Sequence, residues 1–402
     1  MNKAHFLKAI LFAGLIIPGF AFSLFAEPAN EDQSSSIKLR VVAALASAEP
    51  AKETAYTLSD TMTPFWAKDT MINESVLMVS NGTESPKARL LFPAIKILSV
   101  KNAALDKTYK EGVDWVYAND TLSLVPGSSA PSLTTQQMYP AEKKKGWTFP
   151  KRGGGLVLFQ EGHYFHDHQL AVTYTHKKGL WKGPVPEYAG TSLPNTLSKL
   201  KAGKPAKIVL YGDSITKGGN ASGFTGALPG MPPFGELFVE YLRSVYDSSI
   251  TVENTAVGGK ASPWGIANVH ARVTVKKPDL VVLAFGMNDG SRKMKPDNFL
   301  KNIRAMMQDV KKVQPQVEFI LIAPTLANPE SFFAGQQVNY GPRLKTLAGI
   351  GVQVVDMAAV HQVLLKRKQF RDMTGNNINH SNDFLHRWYA QQIAGLLVDK
   401  QF

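Results

Sequence analysis

The spacing of apolar residues changes near residue 207. From about residue 55 to 176, short apolar runs are separated by Gly, Pro, Asn and Asp, a pattern that predicts β-strands joined by turns. The candidate strands are 74–80, 94–100, a hairpin within 114–127 that turns at 118–120, 155–159 and 169–175. Short strands of this kind predict a β-sandwich.

After Lys207 the pattern becomes strand, helix, strand, helix. The predicted strands are 208–211, 250–253, 280–285, 317–322 and 352–355. The clearest helix follows Pro296, with apolar residues on one face at positions 299, 300, 303, 306, 307 and 310. This alternation predicts a parallel sheet covered by helices on both faces.

Composition divides the chain into four parts. Lys3 and Lys8, an apolar run at 9–17 and small residues up to Ala26 predict a secretory signal peptide at 1–26; a membrane anchor is the alternative. The run is too short to span a bilayer as a helix. A β-sandwich domain is then expected at 27–176, a Gly- and Pro-rich linker at 177–206 and the α/β domain at 207–402. The protein is therefore expected to be exported, either periplasmic or secreted, with no stable membrane insertion after the signal is removed.

Charge and cysteine content narrow the function classes. The chain has no cysteine, which excludes disulfides, thiolate metal sites and a cysteine nucleophile. The formal net charge of +13 favours polyanionic partners, although solubility alone would also explain it. Outside the cytoplasm, acidic polysaccharide, cell-wall polymer or anionic lipid is a more fitting partner than nucleic acid, for which no motif is visible.

Polar residues and glycines follow the predicted strands at four places. Ser214 comes after the first strand, Gly258 and Gly259 after the second, Asn288 after the third, and two histidines lie in the stretch 374–390 before the last helix. The carboxyl ends of parallel strands meet at one edge of a sheet. A serine there acts as a nucleophile only with a base to take its proton and donors to hold the oxyanion.

Ser, Gly, Asn and His in this order resemble the four blocks of the SGNH, or GDSL, hydrolase superfamily, over roughly residues 205–400. The resemblance implies a flavodoxin-like domain with a five-stranded parallel sheet. It implies that Ser214 is the nucleophile and that the oxyanion hole uses the N–H of Ser214, the N–H of Gly259 and the side-chain amide of Asn288. Asp213 and Asp289 are then expected to orient loops.

The histidine block departs from the usual pattern of the family, Asp-x-x-His. A literal match is Asp383 to His386, but in the family a small residue follows the histidine by ten positions. Counting back from Ala390 gives His380, which we favour as the base, with His386 as the alternative.

That register leaves the acid of the triad open. Asn377 stands three residues before His380, where the family has Asp. Asn can orient an imidazole but stabilises an imidazolium less than a carboxylate does. Asp383 and Asp372 are the other candidates for this role.

Two further clusters have alternative explanations. A metal site is conceivable for His163, His166, His168 and His176 with Glu161 and Asp167, although an exposed strand edge would also explain the histidines. Trp147 lies among the basic residues 143–145, 151 and 152. That mixture could bind an acidic sugar chain or could be a solvated charged surface.

The sequence as a whole predicts an exported serine esterase that works through an acyl-enzyme and needs no metal or organic cofactor. Exported superfamily members with an added β-domain are similar to carbohydrate acetylesterases, so an O-acetylated polysaccharide is the first expected substrate. A lipid or short-chain acyl esterase and a glycan O-acetyltransferase are alternatives. A glycan-binding protein with an inactive site is the alternative from outside the enzymes.

Overall fold

The computed structural model describes residues 56–399. The predicted signal peptide and the first residues of the predicted sandwich, up to 55, lie outside the described residues. Between residues 56 and 399, no helix combines the length and the apolar composition needed to cross a membrane.

The first part of the described chain is built mainly from antiparallel strands. The strands are β1 (Thr70–Leu77), β2 (Val79–Ser80), β3 (Lys87–Ala88), β4 (Ala94–Asn102), β5 (Thr108–Tyr109), β6 (Trp115–Ala118), β7 (Thr121–Leu124), β8 (Leu133–Thr134), β9 (Thr148–Pro150), β10 (Leu156–Leu158) and β11 (Gln169–His176). The short helices are α1 (Leu58–Met62), α2 (Thr135–Met138) and α3 (Tyr164–His168).

These strands form two larger sheets and a hairpin. The first sheet has the order β1-β11-β4-β5, and the second has the order β6-β7-β3-β2-β8, in which only the β2–β8 pair is parallel. Strands β9 and β10 pair separately. The predicted hairpin is present, since Ala118 of β6 pairs with Thr121 of β7. The sheet-rich character of this region confirms the sequence prediction.

The Gly- and Pro-rich stretch 177–206 contains regular structure. A 3₁₀ turn at Gly190–Ser192 leads into helix α4 (Pro194–Lys201), and Leu193, Leu197 and Leu200 are buried. Helix α4 lies against the strand that follows it, so this stretch contributes to the core instead of only spanning two parts of the chain.

The second part is the α/β domain. Its strands are β12 (Ala206–Gly212), β13 (Ile250–Asn254), β14 (Leu280–Ala284), β15 (Glu318–Ala323) and β16 (Val352–Asp356). Its helices are α5 (Ser214–Lys217), α6 (Ser222–Thr225), α7 (Phe234–Val245), α8 (Ser262–Arg272), α9 (Met287–Ser291), α10 (Pro296–Val313), α11 (Gln337–Lys345), α12 (Met357–Leu364) and α13 (Asp383–Leu397), with 3₁₀ turns at Thr274–Lys276 and Phe370–Asp372.

The five strands of this domain are parallel and have the order β13-β12-β14-β15-β16. Counted within the domain, this is the 2-1-3-4-5 order of flavodoxin-like folds, which confirms the predicted fold class. Strands β12, β14 and β15 have neighbours on both edges, and most of their residues are buried, which explains why they appear in the sequence as continuous apolar runs.

The two parts share one hydrophobic core. Helix α13 contacts the segment before β1, where the ring centroids of Phe65 and Trp388 are 5.0 Å apart. The guanidinium of Arg387 is buried and donates to the carbonyl of Ile72 at 2.8 Å. Burial of this apolar surface and satisfaction of the buried charge hold the β-rich part against the helix that follows the histidine block.

A buried ion pair also joins the two parts. Lys368 and Glu74 have fully buried side chains and form a hydrogen-bonded salt bridge. The other oxygen of Glu74 accepts from the Tyr174 hydroxyl at 2.6 Å. Removing one partner of such a pair leaves a buried charge uncompensated and typically costs about 3–5 kcal/mol. The pair therefore links β1 firmly to the segment that precedes the histidine loop.

Candidate active site

Ser214 lies at the carboxyl edge of the central sheet. Strand β12 ends at Gly212, and helix α5 begins at Ser214 with Asp213 as its N-cap, whose carboxylate accepts from the N–H of Ile215 at 3.1 Å. A β-carbon on Gly212 would lie 2.3 Å from the carbonyl oxygen of Ala284, so only glycine allows this close turn beside β14. The turn presents the Ser214 hydroxyl above the sheet.

His380 lies against this serine. Its Nε2 is 2.8 Å from the Ser214 Oγ, which is hydrogen-bonding distance for a nucleophile and its base. The loop before α13 holds the backbone of His380: its N–H donates to Asn376 Oδ1 at 3.1 Å, and its carbonyl accepts from the N–H of Gly375 at 3.0 Å. The register counted from Ala390 thus leads to the histidine that the structure places beside Ser214.

The start of α13 is held by the β-rich part. Asn382 is the N-cap of this helix and accepts from the N–H of Leu385 at 3.1 Å. Its side-chain amide donates to Ser75 Oγ and to Gln169 Oε1, both at 2.9 Å. Ser75 belongs to β1 and Gln169 to β11, so two strands of the first sheet determine where the helix after His380 begins.

The Nδ1 atom of His380 has two acceptors close to it. Asn220 Oδ1 lies 2.6 Å away and Glu161 Oε2 lies 3.2 Å away. The amide nitrogen of Asn220 donates to the carbonyls of Gly162 at 2.6 Å and Gly375 at 3.2 Å, so its oxygen must face the ring. Nδ1 therefore carries the proton, and Nε2 is free to accept the proton of the Ser214 hydroxyl.

The structure places the predicted acids elsewhere. Asn377 has a φ of 65° in a tight turn, and its amide donates to the carbonyl of Leu158 at 2.9 Å. Asp383 accepts from the N–H of Ser222 at 2.7 Å, and Asp372 accepts from the N–H of Leu77 at 2.9 Å. The carboxylates and the amide are thus used to hold loops and strands, and none of the three contacts the His380 ring.

His386 lies inside α13 and is fully buried. Its Nδ1 accepts from the N–H of Phe234 at 3.4 Å, and Phe234 also stacks on its ring with centroids 6.0 Å apart. Burial lowers the pKa of His386 to about 4. The imidazole is therefore neutral near pH 7 and packs in the core, where its Nε2 lies 3.4 Å from the carbonyl oxygen of Gly219.

The glycine and asparagine blocks meet beside the nucleophile. A β-carbon on Gly258 would lie 3.7 Å from Cβ of Ser214, and Gly259 has a φ of 73°, which glycine adopts without strain. The amide of Asn288 donates to the carbonyl of Lys260 at 3.0 Å. The side chain of Asn288 is thus next to the glycine turn, as the predicted oxyanion hole requires.

Two buried aspartates anchor these loops. Burial, reinforced by the charge of Asp289, raises the pKa of Asp213 to about 7. Burial also raises the pKa of Asp289, whose carboxylate accepts from the N–H of Ser262 at 2.9 Å. Both carboxylates accept from backbone groups at helix starts, and Asp289 also accepts from the Ser262 hydroxyl, which agrees with the expectation that they orient loops.

The histidine cluster does not converge on one point. His166 and His168 lie in helix α3 instead of along a strand. His166 Nε2 is 2.6 Å from the carbonyl oxygen of Leu228, and His163 Nδ1 is 2.5 Å from Asp167 Oδ2. Among residues 56–399, no three His, Asp or Glu side chains are grouped in a way that could hold a metal ion.

Sequence comparison gives a family match over this domain. Residues 210–387 match the GDSL-like Lipase/Acylhydrolase family. The chain is 33% identical to Esterase TesA of Pseudomonas aeruginosa over 92 residues, which are 23% of this chain and 40% of that protein. It is 27% identical to Thioesterase 1/protease 1/lysophospholipase L1 of Escherichia coli K12 over 115 residues, 29% of this chain and 50% of that protein. The chain therefore spans half or less of these curated relatives.

Solved structures with similar folds include two carbohydrate esterases. A two-domain esterase (CEX) active on acetylated mannans is 23% identical, with a TM-score of 0.43 over 52% of this chain and 53% of that one. Axe2, an acetylxylan esterase from Geobacillus stearothermophilus, is 23% identical, with a TM-score of 0.41 over 48% of this chain and 94% of that one.

Proposed function

We propose, from the match of residues 210–387 to the GDSL-like Lipase/Acylhydrolase family, that the protein is an exported serine esterase acting on O-acylated polysaccharide. The observation that carries the proposal is the 2.8 Å contact between Ser214 Oγ and His380 Nε2. A neutral imidazole with its proton on Nδ1 is ready to take the serine proton as the hydroxyl attacks an ester.

The proposed reaction has two halves. Ser214 Oγ attacks the ester carbonyl while His380 Nε2 takes its proton; the N–H groups of Ser214 and Gly259 and the amide of Asn288 hold the oxyanion. The tetrahedral intermediate collapses to an acyl-enzyme, and His380 returns the proton to the departing sugar oxygen. Water then attacks the acyl-enzyme, His380 takes a proton from it, and the carboxylic acid leaves as Ser214 regains its hydrogen.

A groove in the β-rich part supports a polymeric substrate. It has a volume of about 550 Å³, and its lining includes Pro140, Lys143, Lys144, Trp147 and Leu158. The carbonyl of Leu158 accepts from the amide of Asn377, so the groove is adjacent to the loop that carries His380. Lys144 Nζ lies 4.5 Å from the centre of the Trp147 ring. A flat aromatic ring among lysines suits a sugar chain, and the net charge of +13 favours an acidic one.

The acyl group and the cellular location have separate support. Acetyl is the first expectation, because the family resemblance points to carbohydrate acetylesterases. Export rests on the basic and apolar pattern of residues 1–26.

A second candidate is hydrolysis of lipid or longer acyl esters. Phe224 and Leu228 follow the nucleophile in the chain and are each 49% exposed. Phe224 lies near Gly218, directly after helix α5, since a β-carbon on Gly218 would be 3.5 Å from its ring. Apolar side chains next to a nucleophile could contact an acyl chain.

One set of assays tests both candidates. Purified protein is given p-nitrophenyl acetate, butyrate and octanoate, and acetate release is measured from O-acetylated xylan and O-acetylated alginate. A polysaccharide acetylesterase releases acetate from at least one polymer and prefers the acetyl ester; preference for octanoate with no polymer activity favours the second candidate. Ser214→Ala should lose about 10⁴–10⁶-fold in kcat, while the exposed control Ser244→Ala should keep full activity. Near-normal turnover in Ser214→Ala would exclude the serine mechanism.

A further inference from the structure

A carboxylate from the β-rich part points at the loop of His380. Glu161 lies between β10 and α3, 219 residues before His380, and its Oε2 is 3.2 Å from Nδ1. Its Oε1 accepts from the amide of Asn376 at 3.1 Å. The side-chain oxygen Oδ1 of that same Asn376 accepts from the N–H of His380 at 3.1 Å. Both oxygens of Glu161 are therefore directed at the segment that presents the base.

Glu161 is charged near neutral pH. Burial raises its pKa, but the hydrogen bond and charge of His380 and the Asn376 amide lower it more, so the net pKa lies below the ordinary value of 4.5. The side chain is 54% exposed, so water screens part of its charge. A carboxylate in this position favours the imidazolium that forms when Ser214 attacks.

Asn220 connects the carboxylate loop, the histidine loop and the nucleophile helix. Its oxygen is 2.6 Å from His380 Nδ1, and its amide nitrogen donates to the carbonyl of Gly162, the residue after Glu161. A β-carbon on Gly375 would lie 2.3 Å from Cβ of Asn220, so the histidine loop packs closely on this side chain. Asn220 fixes the ring orientation and the Nδ1 proton without adding charge.

We infer that Asn220 and Glu161 together replace the family's triad acid, with Asn220 positioning the His380 ring and Glu161 supplying the negative charge from the β-rich part. The inference rests on the proposed serine esterase mechanism. Asn377 stands where the family has its acid, but it faces Leu158. Asp213 and His386 also interact electrostatically with His380, and both are buried. Neither of them contacts Nδ1 in the structure.

The test compares Glu161→Gln, Asn220→Asp and the double variant with the wild type, using p-nitrophenyl acetate across pH. Glu161→Gln should lower kcat by about 10- to 100-fold with little change in KM, because a missing charge acts on the transition state. The acidic limb of its pH profile should move to lower pH. Asn220→Asp places a carboxylate beside Nδ1, so it should move the limb to higher pH and restore kcat in the Glu161→Gln background.

The control is Glu111→Gln, an exposed glutamate of the β-rich part, which should match the wild type. A purely structural role for Glu161 would give no shift of the limb and no rescue. A readout independent of activity is the NMR titration of the His380 ring, assigned with His380→Gln; its midpoint should move to lower pH in Glu161→Gln.

The outcomes separate the two proposals. Unchanged kcat, pH profile and ring titration in folded Glu161→Gln overturn the inference and leave the esterase proposal intact. A wild type that hydrolyses no ester overturns the esterase proposal, while the ring titration still reports whether Glu161 acts on His380. If Glu161→Gln does not fold, an unshifted limb in Asn220→Asp overturns the inference.

Discussion

A β-carbon on Gly219 would lie 3.1 Å from Nδ1 of His380. The same atom would lie 3.0 Å from the carbonyl oxygen of Ser214, which belongs to backbone and cannot move aside easily. Gly219 therefore leaves the space that the histidine ring occupies between the nucleophile helix and Asn220.

Gly219→Ala should consequently displace His380 by a few tenths of an ångström or more and lower kcat for p-nitrophenyl acetate. A displacement near 1 Å would cost roughly 10²-fold. Gly349→Ala is the matched control, since a β-carbon there meets nothing within 4 Å. Equal kcat in both variants would show that the ring adapts without loss.

Trp147→Ala tests the groove. The ring is half-buried beside Lys144 and lines the groove, so its loss should raise KM on an O-acetylated polysaccharide several-fold and leave kcat/KM on p-nitrophenyl acetate unchanged. Trp264→Ala, with a half-buried ring in the α/β domain, is an aromatic control. Equal losses on polymer and small ester would mean that Trp147 supports the fold.

Asn288→Ala should lower kcat by about 10²–10³-fold, the usual loss for one oxyanion donor. KM should change little, because the donor is needed mainly in the transition state. The exposed Asn339→Ala serves as control. A variant in which only KM rises would instead make Asn288 a substrate-binding residue, and circular dichroism would check that the lost bond to Lys260 has not disturbed the fold.

The two histidines should respond differently to truncation. His380→Ala should be almost inactive, because it removes the base beside Ser214, and its unfolding midpoint should fall less than that of His386→Ala, because the side chain of His380 is 12% exposed. His386→Ala should keep much of its kcat but unfold at lower urea concentration, because it removes a buried ring that stacks on Phe234. The reverse pattern would assign the base to His386.

The stability of the folded protein at acidic pH should depend on the buried His386. Its pKa falls from 6.5 to about 4 on folding. Between these two pH values the imidazole is therefore protonated in the unfolded chain and neutral in the folded protein. The stability that the neutral ring contributes is complete above pH 6.5 and is lost as pH falls towards 4. At about 1.36 kcal/mol for each pKa unit, the loss is about 3 kcal/mol.

Urea unfolding at a series of pH values measures this loss. Between pH 7 and pH 4, the free energy of unfolding should fall by about 3 kcal/mol less in His386→Gln than in the wild type, whatever the stability of the variant at neutral pH. His270→Gln, whose side chain is 66% exposed, should follow the wild-type slope. Parallel curves for wild type and His386→Gln would contradict the lowered pKa.

The central sheet was predictable because its strands are buried on both faces. The predicted first strand, 208–211, lies within the observed Ala206–Gly212, and the predicted end at the Gly-Asp-Ser turn follows from glycine being needed beside Ala284. Long apolar runs mark where the buried strands lie, so the position of Ser214 directly after the first of them could be inferred, while the flavodoxin-like arrangement was implied by the family resemblance.

The partners of His380 could not be read in the same way. Glu161 and Asn220 reach the ring from 219 and 160 residues away, and neither lies at a position that periodicity marks. The sequence held one indirect signal: Asn377 occupies the place of the family's acid, which implied that the charge comes from elsewhere. The fold of the β-rich part brings Glu161 to the histidine loop, and this contact is visible only in the structure.

Because of the contacts of Asn382, neither the β-rich part nor the α/β domain is easily replaced by the corresponding part of another protein. Its side chain starts the helix after His380 while its amide is held by Ser75 and Gln169 of the first sheet. A chimera that joined this α/β domain to a β-domain from another protein would need hydrogen-bond acceptors at the positions of Ser75 and Gln169. Without them, the helix after His380 would not begin at the same place, and the base would not lie beside Ser214. We therefore expect the two parts to have diversified together, with changes in one accepted only alongside changes in the other.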